Sequence, residues 1–412
     1  MAVFEAARAQ LRKEFRKARD HSEKLFEILR PSVLYARPIA ERHRVIFYLG
    51  HLDAFDFIQI CREGLGIASK EPLLDELFRA GIDPDSAHLP SDQPGDWPSL
   101  AQVKTYVAQA RDAVDCVFDR APEDLLHMAL EHRLMHLETL AYMWHNFAPE
   151  LKVTPAGYET SLSAAHRTQA HQNEWQVVPS GDAVLGKDAD HGFGWDNEYA
   201  AHTVSVPAFE IQKFNVTNGE YLRFVTDGAP LPHFWVRRGE SLYWRGMFAE
   251  IPLPLDWPVY VTHREAQQYT AWLGKALPSE AQFHRAAYGT PDGQERTYPW
   301  GDAEPDVSLG NFDFARWDAT SVANDVAGES AFGVRQLLGN GWEWTNTIFA
   351  PFDGFKASPS YPGYSANFFD GEHYVMKGGS PRTSARLLRR SFRNWFRSDY
   401  PYVYATFRCV EN

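Results

Sequence analysis

The chain has 412 residues, 44% hydrophobic and 23% charged, with a formal net charge of -13. At roughly 150 residues per domain this length suits two or three domains, and the balance of apolar and charged residues excludes a largely disordered chain. The acidic excess excludes a general nucleic-acid binder, no apolar run reaches the ~18 residues of a membrane span, and three scattered cysteines (Cys61, Cys116, Cys409) exclude a disulfide framework or a thiolate zinc site.

From the N-terminus, Met1 to Asp20 alternates Ala and Phe with Arg and Lys and lacks the apolar core of an export signal. It reads as an amphipathic helix of a soluble, cytoplasmic protein. Apolar residues recur at helical spacing through Phe4–Leu29, Val45–Ile60, Leu100–Phe118 and Leu125–Phe147, with Pro or Asp/Gly clusters breaking the run between them. Four such segments predict a four-helix bundle over residues 1–150. Residues 151–174, polar and aperiodic from about Pro155, read as a linker. Composition changes across it, because the first 150 residues hold only 5 of the 28 glycines and 2 of the 13 tryptophans. In residues 175–412, Val204–Phe209, Val259–Thr262 and Tyr374–Lys377 predict strands, and Arg264–Leu273 and Ser279–Tyr288 predict short helices. An irregular α+β domain with an aromatic core is expected there.

The sharpest feature of the first domain is Glu131-His132-Arg133-Leu134-Met135-His136-Leu137-Glu138. His132 and His136 stand four apart on a predicted helix, so both imidazoles leave one face a turn apart, the spacing a divalent metal needs from a single helix. Glu138 lies about 200° round from His136 and cannot easily join them. His51, in the apolar run Tyr48-Leu49-Gly50-His51-Leu52, is the candidate third ligand, since a bare imidazole there needs a partner. Three neutral nitrogens on one side of an ion would leave positions for substrate and for water or dioxygen. Pairs of this spacing are also common as ordinary surface or core histidines, and His127 and His145 on the same stretch are competing ligands.

The second domain carries longer strings, among them Gly194-Trp195-Asp196-Asn197-Glu198, Leu277-Pro278-Ser279-Glu280, Gly339-Asn340-Gly341-Trp342-Glu343-Trp344-Thr345 and Ser391-Phe392-Arg393-Asn394-Trp395. In this order they resemble the sulfatase-modifying-factor (formylglycine-generating-enzyme-like) domain, with its C-type-lectin-like fold, over about Trp175 to Asn412. The N-terminal part resembles a DinB-type four-helix bundle, whose family places a divalent metal on three histidines. Fused in this way, the two resemble the ergothioneine sulfoxide synthase family and its relative, selenoneine synthase. The resemblance implies Fe(II) on His51, His132 and His136, with hercynine (trimethylhistidine) and a sulfur or selenium donor beside it. Dioxygen would drive carbon–chalcogen bond formation at the imidazole. It further implies that Tyr361, in Tyr361-Pro362-Gly363-Tyr364, supplies a proton, and that Tyr364, Asn394 and Trp395 line the hercynine pocket, the Trp face against the trimethylammonium.

Three departures from the members that use γ-glutamylcysteine bear on the donor. Met135 stands where those enzymes carry a glutamine against the substrate imidazole, and Phe396 where they carry an aspartate for the donor's amino-acid end. The loop from Gly81 to Asp92 holds Asp83, Asp85 and Asp92 and no Arg or Lys, where they place arginines for the donor's carboxylates. A carboxylate-rich donor would meet repulsion and desolvation there. A hydroxyl-rich selenosugar would not, so the expected donor is a selenosugar and the product selenoneine, with sulfoxide formation from γ-glutamylcysteine or cysteine as the alternative. In the basic run Arg382, Arg386, Arg389, Arg390, Arg393 and Arg397, one or two arginines are expected to hold hercynine's carboxylate. Formylglycine generation would need a cysteine pair near the C-terminus, where only Cys409 stands. A metal-dependent thiol transferase would leave the aromatic domain unexplained, and a lectin-like binding protein is the non-enzymatic alternative. No glycine-rich phosphate loop follows a strand, and the oligomeric state is left open.

Overall fold

Helices form where the apolar periodicity places them. The computed structural model describes residues 2–81, 89–156, 158, 173–324 and 327–411, and the chain divides into two units, Met1–Pro155 and Ala156–Asn412. In the first unit α1 spans Ala2–Glu27, α2 Val45–Asp56, α3 Pro72–Arg79, α4 Leu100–Val117 and α5 Glu123–His145. The four long helices match the expected segments within a few residues. α3 was not expected: its eight residues are too short for a periodic signal, and Pro72 starts it from the first turn. α4 starts on a capping box, in which Ser99 Oγ accepts from the Gln102 backbone N–H at 3.3 Å and Gln102 Oε1 accepts from the Ser99 N–H at 3.0 Å.

All of α2 except Leu49 is buried, which makes it the central helix of the unit. It runs on into a π-helical stretch, Phe57–Glu63, so the expected helix Val45–Ile60 holds in extent but not in winding. At Gly50 the approach of α3 is so close that a Cβ would lie 2.5 Å from the Phe78 ring. A buried ionic knot ties the long helices together. Arg133 of α5 donates to Asp53 at 2.8 Å and Asp56 at 2.6 Å on α2, and to Ser22 Oγ on α1 at 3.1 Å. Arg111 of α4 donates through Nε to Asp53 at 2.9 Å.

The second unit is α+β. Trp175–Val178 (β1) pairs antiparallel with Phe209–Gln212 (β4), which also pairs with Val410–Glu411 (β12), while Gly181–Leu185 (β2) pairs with His202–Val206 (β3). The expected single strand Val204–Phe209 is therefore two strands in different sheets. They part at Pro207-Ala208, where proline has no N–H for a ladder. Trp235–Arg238 (β5), Ser241–Arg245 (β6) and Glu250–Pro252 (β7) form a meander. The largest sheet runs β10–β9–β8–β11, from Gly341–Ile348 (β8), His373–Gly379 (β9), Asn394–Arg397 (β10) and Ala405–Thr406 (β11). Here β9 contains the expected strand Tyr374–Lys377, and β11 lies parallel to β8.

Val259–Thr262 is a buried extended connection, not a strand. Its Val259 and Val261 N–H groups bond to Val216 and Ala405 carbonyls, both at 2.9 Å, and Thr262 then caps the next helix. Helices follow at Asn218–Thr226 (α6), His263–Leu273 (α7) and Glu280–Tyr288 (α8), the last two within a residue of expectation. Among the described residues no helix is long and apolar enough to cross a membrane.

Candidate metal centre

α2 and α5 bring His51, His132 and His136 together. His136 Nε2 stands 3.3 Å from His51 Nε2 and 3.2 Å from His132 Nε2, and the imidazoles are only 3–4% exposed. His51 Nδ1 lies 2.7 Å from the Phe78 carbonyl of α3, to which it can only donate. That fixes the tautomer and turns the Nε2 lone pair towards the other two rings. Burial pushes the pKa of His51 down to about 4, and burial with the neighbouring imidazoles and Arg133 holds His132 and His136 well below the usual value. All three are therefore neutral near pH 7.

A divalent ion fits this donor set. Nitrogens about 2.1 Å from one ion stand about 3 Å apart, close to the separations found, and among the described residues no carboxylate joins the cluster. His136 Nδ1 is buried with no hydrogen-bond partner among the described residues, so no competing hydrogen bond draws that ring out of line. His127 does not compete: it faces Glu123 at 3.6 Å, near the start of α5. Neither His145 nor Glu138 is grouped with the triad. Met135, on α5 beside His136, is half-buried. Two rings on α2 that sequence reasoning missed touch the ligands: Phe47 stacks on His51 at 4.9 Å, and Phe55 on His132 at 3.5 Å. Their spacing, four residues either side of His51, was the available signal.

In the second unit Tyr361, Tyr364 and Trp395 do meet. Tyr364 meets Trp395 edge-on at 5.3 Å, Tyr361 at 5.8 Å, and stacks on Trp195 at 3.9 Å. Phe349 covers one face of Trp395 at 4.2 Å and 5°, so only the other face could meet a cation. Asn394 is half-buried, its Oδ1 accepting from the Trp395 backbone N–H at 2.9 Å. Phe396, next along β10, leaves the opposite face of the strand and stacks on Tyr400 at 5.1 Å, apart from this cluster.

The basic run is largely committed internally. Arg389 bonds Glu198 at 2.8 Å, Arg390 bonds Glu295 at 2.7 Å, Arg393 bonds Glu280 at 3.0 Å, and Arg382 lies 4.0 Å over the Tyr404 ring. Cys409 is buried, and burial raises its thiol pKa, so it is no nucleophile.

The reading of an acidic loop without cationic partners needs correction at Asp92. Asp83 and Asp85 lie outside the described residues. Asp92 is fully matched: Arg37 pairs with it, Arg44 Nε donates at 2.8 Å and Trp97 Nε1 at 2.8 Å. Burial alone would raise its pKa, but those donors outweigh burial and hold it at about 2. The guanidinium pair comes from the segment before α2, not from the loop itself.

Residues 160–412 match the sulfatase-modifying factor enzyme 1-like domain family. A hercynine oxygenase of Mycolicibacterium thermoresistibile is 35% identical over 365 residues, spanning 80% of this chain and 78% of that protein. The hercynine oxygenase of Mycobacterium tuberculosis is 35% identical over 331 residues, 74% of this chain and 75% of that one. Ergothioneine biosynthesis protein 1 of Neurospora crassa is 26% identical across 94% of this chain and 56% of its own length.

Proposed function

The chain belongs to the ergothioneine sulfoxide synthase family, and on that premise we propose that it joins hercynine to a chalcogen donor in a dioxygen-dependent oxidation at Fe(II) held by His51, His132 and His136. The observation that carries this reading is the buried face of three neutral imidazoles, with no carboxylate among them in the described residues. His51, His132 and His136 would hold the iron through three nitrogens, and iron bound there would supply the one-electron chemistry that coupling a soft chalcogen with dioxygen needs. The chain's own part is to keep the three Nε2 atoms neutral and aimed. The Phe78 carbonyl does this for His51.

In this proposal the helical unit is a DinB-type bundle, Tyr361 supplies a proton, and Tyr364, Asn394 and Trp395 contact hercynine. The clustering of Tyr361, Tyr364 and Trp395 supports the grouping of those three roles. In the same proposal the protein works in the cytoplasm.

The donor we propose is a selenosugar, giving selenoneine. Met135 and Phe396 support it, because both stand where the γ-glutamylcysteine-using members of the family carry polar groups. Asp92 lends no support, since its charge is already matched. The sulfur alternative, with γ-glutamylcysteine or cysteine as donor, is favoured by the ergothioneine biosynthesis protein among the relatives.

One experiment separates these readings. The protein is loaded with Fe(II) without oxygen, given hercynine, and exposed to air with equal selenosugar and γ-glutamylcysteine, the products being read by mass spectrometry. The expected result is a selenium adduct of hercynine. A sulfoxide adduct alone would keep the chemistry and replace the donor, and bound iron with no adduct of either kind would sink the proposal.

A further inference from the structure

Phe47 and Phe55 stand one helical turn either side of His51 on α2. Phe55 lies over His132 with ring centroids 3.5 Å apart and planes 9° apart, face upon face. A face-to-face sandwich of two uncharged rings is less favourable than an offset or edge-on pair, because their negative faces repel, although packing imposes near-parallel stacking elsewhere in this protein, as for Phe349 on Trp395 at 4.2 Å and 5°. Phe15 and Phe118 of the same unit meet edge-on, at 5.6 Å and 81°. An imidazole whose Nε2 gives electron density to a cation reverses the balance, and the same phenyl face then attracts it.

From this sandwich we infer that Phe55 is a positioning residue of the metal centre, holding His132 in the plane that aims Nε2 at the ion and favouring the metal-bound ring over the bare one. For His51 the equivalent task falls to a hydrogen bond, from Nδ1 to the Phe78 carbonyl at 2.7 Å. The Phe47–His51 contact, at 4.9 Å and 23°, is looser and can only add to that bond. The inference rests on the triad being a metal site.

The test titrates the full-length protein with cobalt(II) alone. It reads the dissociation constant by chelator competition, the ligand-field spectrum, and the folded fraction by circular dichroism. Four versions are compared: wild type, Phe55→Leu, Phe57→Leu, and protein with a ring-fluorinated phenylalanine at position 55. Phe57 is the packing control, because it is similarly buried, at 6% against 7% exposed, and two residues on it leaves a different side of the helix.

Phe55→Leu should weaken cobalt binding about tenfold, the lower end of what losing a ligand's outer support costs, and should shift the spectrum. Phe57→Leu should leave both as in wild type. The fluorinated ring keeps the shape and drains the face, so it too should weaken binding, and it decides the matter if Phe55→Leu does not fold. Equal weakening by Phe55→Leu and Phe57→Leu, or wild-type affinity with the fluorinated ring, would overturn the inference alone. A wild-type chain that takes up no cobalt would overturn the metal site and this inference with it.

Discussion

A histidine on an apolar helix has one nitrogen firmly aimed when the other is held by a hydrogen bond. His51 meets that condition through one backbone carbonyl, Phe78, on a helix too short to leave a periodic signal. The triad itself was legible: the four-residue spacing of His132 and His136 and the apolar run around His51 follow from helix geometry alone. Phe55 and the Phe78 carbonyl were not, because both depend on how α2, α3 and α5 approach one another. Asp92 was misread for the same reason. Its partners Arg37 and Arg44 lie some fifty residues earlier in the chain and meet it only in three dimensions. A carboxyl held at about 2 against 3.8 contributes stability that is full above pH 3.8 and is lost as pH falls towards 2. Asp92→Asn should therefore lower the unfolding midpoint near neutral pH, and the gap from wild type should close as pH approaches 2. A gap that stays constant over that range would show that the charge of Asp92 contributes nothing.

Elements were legible in proportion to their length. The four long helices of the first unit announced themselves, and so did α7 and α8, whose caps Thr262 and Ser279 stand in the sequence. Strands were harder. Pro207 divides an apparently continuous run, and Val259–Thr262 has strand composition but only single hydrogen bonds to each neighbour. The relation of α2 to α5 rests on the Arg133 knot, in which Asp53, Asp56 and Arg133 are each 1–2% exposed. Burial pushes the Asp56 pKa up to about 6 even beside Arg133, so desolvation is severe there. Arg133→Met should cost about 3–5 kcal/mol, because it takes the close cation from the buried Asp56, leaving Arg19 at 4.0 Å, and one of two guanidinium partners from Asp53. Adding Asp56→Leu should recover part of that loss. Denaturant unfolding of the single and double variants measures it, and purely additive losses would mean that the pair does not interact.

At the scale of the molecule, each unit has its own buried core. That of the first includes Val45, Ile60, Val103 and Leu140, and that of the second Val178, Ile211, Phe283 and Val334. The whole triad lies in the first, so a fragment covering Met1–Pro155 should fold and take up one cobalt(II) ion per chain, read by metal analysis after gel filtration. A folded fragment that takes up none would place part of the metal-holding apparatus outside these residues. The boundary between the units was visible as a jump in glycine and tryptophan content, whereas the arrangement of short strands beyond it was not, because each carries too few residues to mark its partner. The knot has one more consequence. Arg133 joins α5 to α1 and α2, and Asp53 extends the connection to α4, so the helices that hold the three imidazoles cannot part without breaking bonds to the others. An ion seated between them would then leave on the timescale of unit-wide opening. Filling such a site, or stripping it with a chelator, should therefore be slow, and its occupancy should lag behind any change in the surrounding metal supply.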